Sequence, residues 1–413
     1  MSRRHALVPL AALAVLAPGP TAAAALPRVV IDAPRAIPDE PKVTARMKVG
    51  GRRGYVGRVG IEIRGSSSQL FPKKAYGLET RTRRGENRPV SLLGMPKESD
   101  WVLLASYDDK TLMRNAVGYR AARRLGRYAS RLHHVELVLN GRYQGVYLLG
   151  EQLKLDGGRV DVDDRGVSGG YLLEMKSRNK IDPDDRVFRA PVTRTAIAYA
   201  DPEREDLSAR RAAWIRRYVG RFERALHGRD FRDRRRGYRA YLDVPAAVDY
   251  VLLNEYLKNH DAFQASAYMH KSTGGKLLLG PMWDLDLSMG NSNFPQSNGP
   301  TGSLLADYRW TRRLYRDPAF VRSMARRWRV LRREGLLGDL LRDVDRTAVS
   351  LRGAQARNFR RWDILGTNIF HNAADPRTGA LPATYAQEVS YLKWFLCERA
   401  AWMDRNVTRL ARR

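Results

Sequence analysis

The part of this 413-residue chain best suited to chemistry is Trp283-Asp284-Leu285-Asp286-Leu287. The stretch from Lys276 to Leu287 reads as the return strand of a hairpin, and side chains along a strand alternate between faces. Asp284 and Asp286 are therefore expected on one face, with Trp283, Leu285 and Leu287 turned the other way into packing. Two carboxylates side by side repel unless something positive neutralises them. A divalent cation does this naturally, and Mg²⁺ takes a couple of carboxylates and fills its shell with phosphate oxygens and water. Asp-x-Asp alone describes a solvated pair at a strand end equally well.

Upstream lies Lys258-Asn259-His260-Asp261, just past a helical segment. One carboxylate in a loop, then a hairpin, then a metal-binding carboxylate is the order used in protein kinases. There the first carboxylate accepts or orients the substrate hydroxyl and the second holds the metal on the phosphates. His260-Asp261 is not a literal His-Arg-Asp motif, and an ordinary helix-end turn explains Asp261 as well. A phosphate clamp also needs fixed positive charge. Lys73 and Lys74 follow a Gly65-Ser66-Ser67-Ser68 turn whose N–H and hydroxyl donors suit phosphate oxygens. If Tyr76 and Leu78 face the core, Lys74 shares their face and enters the cleft, and Lys73 points to solvent. Glu151, at the end of a strand, could pair with such a lysine or be a plain surface glutamate. The Gly-x-Ser-x-Gly spacing occurs once, at Gly166-Val167-Ser168-Gly169-Gly170, but it precedes a strand rather than forming a strand-to-helix elbow, which argues against a serine hydrolase. Two acids two residues apart on one strand do not flank a sugar as glycosidase carboxylates do.

The elements that must position these residues can be read from pattern. Residues 26–48 read as an extended, proline-punctuated entry strand region. Residues 55–80 read as a hairpin-like unit, with Ile61-Glu62-Ile63-Arg64 alternating before the Gly65 to Gln69 turn and Lys74 to Thr80 returning. Asp100 to Ala105 is a short strand, and Asp109 is placed to cap a helix that Gly126 closes. Val135 to Leu139 and Tyr143 to Leu149 flank Asn140-Gly141, the signature of a tight hairpin. Tyr171 to Met175 is a strand, residues 201–240 are Arg-rich and partly helical, and Pro245 to Asn259 is helical. Ala267 to Lys271 opens the last hairpin, residues 291–303 form a loop, and helices dominate from Leu304 onward.

Composition bounds the setting. Arg3 and Arg4, the apolar run Ala6 to Ala17 and the small residues Ala22 to Ala25 predict a signal peptide over residues 1–25. The run is short for a bilayer and Pro9 interrupts it; an uncleaved amphiphilic N-terminus is the plainer alternative. No later segment reads as a membrane helix, so a soluble secreted or envelope-associated protein is expected. Cys397 is the only cysteine, which excludes an intrachain disulfide and a cysteine-rich metal site. Lys and Arg total 74 against 44 Asp and Glu, a formal charge of +30. Such charge favours polyanionic neighbours, among them acidic proteins, anionic envelope polymers and nucleic acid. An abundance of Arg, Ala and Gly is equally what a GC-rich coding sequence produces, and no aromatic-basic motif supports specific nucleic-acid recognition.

Taken in order, the motifs become specific. Arg64-Gly65-Ser66-Ser67-Ser68-Gln69, Phe71-Pro72-Lys73-Lys74-x-Tyr76-Gly77-Leu78-Glu79-Thr80, Leu92-Leu93-Gly94-Met95-Pro96, Asp100-Trp101-Val102-Leu103 and Asp109-Lys110-Thr111-Leu112-Met113-Arg114-Asn115 resemble the CotH family of atypical protein kinases. So do Asn140-Gly141-x-Tyr143-Gln144-Gly145-Val146-Tyr147, Arg159-Val160-Asp161, Gly169-Gly170-Tyr171-Leu172-Leu173-Glu174, Gly280-Pro281-Met282-Trp283-Asp284-Leu285-Asp286-Leu287-Ser288-Met289-Gly290-Asn291 and Leu392-Lys393-Trp394-Phe395-x-x-x-Arg399-x-x-Trp402-Met403. The resemblance implies an α+β, two-lobed kinase-like fold over residues 26–407, β-rich at about 45–175 and helical at about 200–407. It implies ATP with Mg²⁺ or Mn²⁺ and transfer of the γ-phosphate to Ser or Thr of a protein substrate. By position Asp261 matches the catalytic-loop aspartate and Asp284 the metal aspartate. Asp286 matches the acidic position after it, and Lys74, with Lys73 as rival, the phosphate-contacting lysine. The chain departs from the family at Gln264, where relatives commonly carry Arg, and at His260, where a small apolar residue is usual. A non-catalytic surface or coat protein that binds acidic partners is the alternative.

Overall fold

The computed structural model describes residues 25–51, 53–203 and 205–412. Residues 1–24 of the expected signal peptide lie outside them. Among the described residues no helix is long and apolar enough to cross a membrane.

The first half of the chain is a closed seven-stranded barrel. Its strands are β1 (Arg28–Asp32), β2 (Val43–Val49), β3 (Tyr55–Arg64), β4 (Ala75–Arg81), β5 (Asp100–Leu104), β6 (Leu132–Leu139) and β7 (Arg142–Glu151), in the order β1-β2-β3-β4-β5-β7-β6. Apolar residues at every second position make this possible. Val29 and Ile31, Ala45 and Met47, Val59 and Ile61, and Leu78 turn into the barrel and are buried, while Arg46 and Arg58 turn outward. The β6–β7 hairpin turns at Asn140 (φ +48°) and Gly141 (φ +74°), the pair of left-handed residues that a tight hairpin of this twist requires. Closure comes from β1 lying parallel to β6, with Val29 opposite Leu137.

The entry strand region expected over 26–48 supplies β1 and β2. The β-rich part holds two sheets, and the barrel is complete at Glu151. The next strand, β8 (Tyr171–Lys176), belongs to a second sheet with β9 (Val187–Arg189), β10 (Ala196–Asp201), β11 (Ala267–Lys271) and β12 (Leu277–Leu279), in the order β12-β11-β8-β10-β9.

Among the described residues seven helices complete the α+β fold: α1 (Arg114–Arg124) between β5 and β6, α2 (Ala209–His227), α3 (Val244–Leu257), α4 (Arg309–Tyr315), α5 (Pro318–Arg333), α6 (Leu336–Arg361) and α7 (Tyr385–Asn406). Helix α3 is buried on nearly every side. Asp243 caps its start by accepting from the Ala246 N–H at 2.8 Å. Lys258, in the left-handed region at φ +48°, ends it and turns the chain toward Asp261. The helix expected from Asp109 starts five residues later. Asp109 instead ties down the preceding turn, accepting from the backbone N–H groups of Thr111 (3.1 Å) and Arg114 (2.8 Å).

Candidate functional site

A cavity of about 330 Å³ opens where the barrel, α1 and the loops after α3 and β12 meet. Asp261, Asp284, Asp286 and Lys73 all line it, with Asp108, Asn115 and Lys180.

The strand expected to carry the aspartates stops at Leu279. A cis Gly280-Pro281 bond follows, and Asp284 takes a left-handed conformation at φ +57°. Strand alternation therefore does not apply. Leu285 is buried, as expected, but Trp283 and Leu287 also face the cavity. Trp283 stacks on Tyr119 at 5.8 Å, and the Arg64 guanidinium sits 5.5 Å from its ring. The carboxylates reach the cavity because α1 reads the loop backbone. Asn115 Oδ1 accepts from the Leu285 N–H (2.8 Å) and Asn115 Nδ2 donates to Asp286 Oδ1 (2.5 Å); the Asp284 N–H donates to the Tyr119 hydroxyl (3.1 Å). The approach is close enough to require glycine: a Cβ on Gly118 would lie 2.1 Å from a Leu285 methyl. Asn291 Nδ2 adds bonds to the backbone oxygens of Asp286 (2.8 Å) and Asp108 (3.1 Å). Phe263, Ser266 and Met289, like Lys258 and Asp284, sit at positive φ without being glycine. Such residues cost on the order of 1–3 kcal/mol each and persist only where surrounding structure enforces them.

The site is an excess of buried negative charge. Burial, with the charges of Asp109 and Asp284, pushes Asp108 up to about 7. Burial and the neighbouring Asp261 raise Asp284, and burial with Asp108 and Asp284 raises Asp286 well above the usual carboxylate range. Glu174, opposite Tyr268 in the second sheet, is pushed by burial up to about 7. The nearest cation to Asp261 is Lys180, whose Nζ lies 3.0 Å from Asp261 Oδ2. Burial pulls Lys180 down, but Asp261 and Asp284 more than offset it and raise its affinity for the proton.

The two lysines are exchanged relative to expectation. Strand β4 begins only at Ala75, so its alternation does not extend back through Pro72-Lys73-Lys74. Lys73 is the buried one, 2 % exposed, donating to the Val146 carbonyl (2.6 Å) and Asn358 Oδ1 (3.1 Å) at the cavity wall. Lys74 instead donates to the Gln69 carbonyl. Glu151 meets neither lysine. It is fully buried, bound by Arg131 Nη1 (2.6 Å), the Arg131 N–H (2.8 Å) and the Tyr128 hydroxyl (3.1 Å), because β7 ends beside the chain that leads into β6.

Asp108, Asn115 and Lys180 were missed in the sequence. Asp108 stands next to the Asp109 that was read as a helix cap, and an adjacent acid pair directly after a buried strand was the available signal. Lys180 lies in a short turn after β8 with no periodic pattern to mark it.

Among the described residues no three His, Cys, Asp or Glu side chains gather into a metal cage. The donor set still fits a cation of the Mg²⁺ kind. Mutually repelling carboxylates supply part of a shell, and phosphate oxygens and water would supply the rest. The fold and site thus define an α+β protein with an acidic, lysine-flanked cleft between a β-rich N-terminal part and a helical C-terminal part. The chain belongs to the CotH kinase protein family, which matches residues 61–403. No curated protein matches it significantly.

The Lys73 assignment is testable. Burial pushes its ammonium down to about 7, only partly opposed by Asp109 and Asp286. A phosphate placed beside it would favour the charged form, so if the cleft takes a nucleotide, as the resemblance implies, binding at pH 8 should take up a proton. Calorimetry in buffers of different ionisation enthalpy should show this uptake in the wild type and in Lys74→Met. Lys73→Met should lose it and bind ATP about tenfold or more weakly, as expected when a charge-assisted phosphate contact is removed.

Proposed function

We propose that this chain is an exported atypical protein kinase that transfers the γ-phosphate of ATP to Ser or Thr of a protein, with Mg²⁺ or Mn²⁺. The carrying observation is the convergence of Asp261, Asp284, Asp286 and Lys73 on one cavity whose buried acids lack enough positive charge. In this reading Asp284 and Asp286 hold the divalent cation, and Lys73 contacts phosphate. Asp261 accepts the proton as the serine oxygen forms its bond to the γ-phosphorus and the bond to the β-phosphate oxygen breaks. A divalent cation held by these two carboxylates would supply neutralisation of the phosphate charge. Lys180 holds the Asp261 carboxylate as an oriented acceptor. The barrel stands as the N-terminal lobe and the helical part as the C-terminal lobe. The signal peptide expected from residues 1–25 and the CotH membership favour action at the cell envelope or in a coat, where the ATP comes from a released pool or is used in transit.

ATP with Mg²⁺ should raise the melting temperature, since a ligand at a hundred times its Kd adds about 2.7 kcal/mol to stability. Labelled ATP should leave phosphate on a serine-containing protein. Absence of both effects would leave the second reading, a non-catalytic coat or surface protein. That reading has one observation in its favour: Asp261 already has an ion-pair partner in Lys180.

A further inference from the structure

Beside the acidic cavity, and sharing Ser177, His260 and Gln264 with it, runs a second groove of about 450 Å³. Its character is opposite. Arg178 after β8, Arg189 and Arg194 in the β9–β10 hairpin, and Arg309 at the start of α4 all line it and are all exposed. None of these four makes an ion pair among the described residues. Arg189 Nη1 reaches only the Arg194 carbonyl at 3.4 Å, and Arg309 Nη1 donates to the Thr193 carbonyl and the Thr195 hydroxyl, both at 3.0 Å. Lys176, also on the wall, is already neutralised by Asp185 at 2.5 Å and Asp182 at 3.2 Å. The one acid in the lining is Asp307, itself exposed.

Four arginines around one groove, with spare donors and only the exposed Asp307 as a carboxylate among the lining residues, repel one another until an anion joins them. The groove leads to Asp261 across Gln264, which donates to the Tyr308 hydroxyl (2.6 Å) and the His260 carbonyl (3.1 Å). A residue placed beside Asp261 would thus have its flanking chain over the arginines.

We propose that this groove is the acceptor-docking site and that it selects a serine or threonine embedded in an acidic polypeptide segment, with carboxylate side chains against Arg178, Arg189, Arg194 and Arg309. The proposal rests on the kinase reading for the use of the site, but not for the binding itself. A basic acceptor is disfavoured by the same four charges.

The full chain is tested with three short peptides carrying one serine among glutamates, glutamines or lysines. Phosphorylation of the acidic peptide should exceed that of the neutral one by about tenfold in kcat/KM, with the lysine peptide lowest, and rising salt should shrink the difference. Arg189→Glu with Arg194→Glu should remove the preference, chiefly through KM, and the milder Arg189→Gln with Arg194→Gln should remove part of it. A control of equal charge change on the barrel exterior, Arg46→Glu with Arg58→Glu, should keep it. Anisotropy with the acidic peptide bearing Ala for Ser reads docking without chemistry. Binding of that probe, lost in the hairpin variant, with no phosphorylation of any peptide would sink the kinase reading and leave the groove assignment standing. Equal or stronger binding of the lysine peptide overturns the acidic-acceptor proposal, as does a hairpin variant that behaves like wild type. A barrel control that loses as much binding as the hairpin variant overturns it too.

Discussion

Asp284→Asn should abolish phosphotransfer and, at the same time, make the ligand-free protein more stable at pH 8. With Asp284 holding the cation as proposed, its loss at the reacting phosphates is expected to cost on the order of 10³ or more in rate. The stability effect comes from linkage. Asp284, Asp286 and Asp108 all bind protons more tightly in the folded protein than in the unfolded chain, Asp108 up to about 7. Between the ordinary aspartate value of about 4 and these raised values the folded state carries more protons. Stability is therefore fullest at low pH within this cluster and is lost as pH rises through the folded values. An amide at 284 removes one of the repelling charges, so the fall in melting temperature from pH 5 to pH 8 should be shallower in the variant. Mg²⁺ with nucleotide should flatten the same fall in the wild type and not in Asp284→Asn. Parallel melting curves for the two proteins, with and without ligand, would show that these carboxylates do not act as one cluster.

What the sequence made legible follows the range of the interactions involved. The β6–β7 hairpin was readable because Asn140-Gly141 and the alternation on either side are local. The three acids were readable because motif order places Asp261 before a hairpin and Asp284 after it. Barrel closure was not, since the pairing of Val29 with Leu137 joins residues that no local pattern links. Lys73 and Lys74 were misplaced because the strand begins only at Ala75: Tyr76 and Leu78 face the core as expected, but the alternation does not reach back through Pro72-Lys73-Lys74. Trp283 was assigned to packing on a strand that in fact ends at Leu279. Lys180 became visible only when the turn after β8 came to rest against Asp261, a contact between residues in different sheet connections.

The C-terminal motif Arg399-x-x-Trp402 has no place in the cavity, yet its loss is expected to be nearly as damaging as loss of Asp284. Arg399 and Glu255 are both fully buried and pair at 2.8 Å, and the guanidinium packs 4.2 Å from the Trp402 ring. Arg399 also donates to the carbonyls of Glu255 (2.8 Å), Pro300 (2.9 Å) and Gly302 (2.6 Å). Glu255 in turn accepts from the N–H groups of Leu304 (2.8 Å) and Leu305 (2.9 Å) and from the Tyr315 hydroxyl (3.0 Å). The pair thus clamps α7 and the 300–305 loop onto the last turn of α3, the turn from which the chain departs toward Asp261. Arg399→Leu leaves the Glu255 charge buried with only neutral donors, which should cost about 3–5 kcal/mol. Denaturant unfolding should show the midpoint fall with little change in slope. Glu255→Met combined with Arg399→Leu removes both charges together and should recover much of the loss, because two well-packed apolar groups avoid the desolvation that the lone carboxylate suffers. If the double variant is as unstable as the sum of the singles, the two residues act separately, and the motif's role is packing against Trp402 rather than holding the loop that carries Asp261.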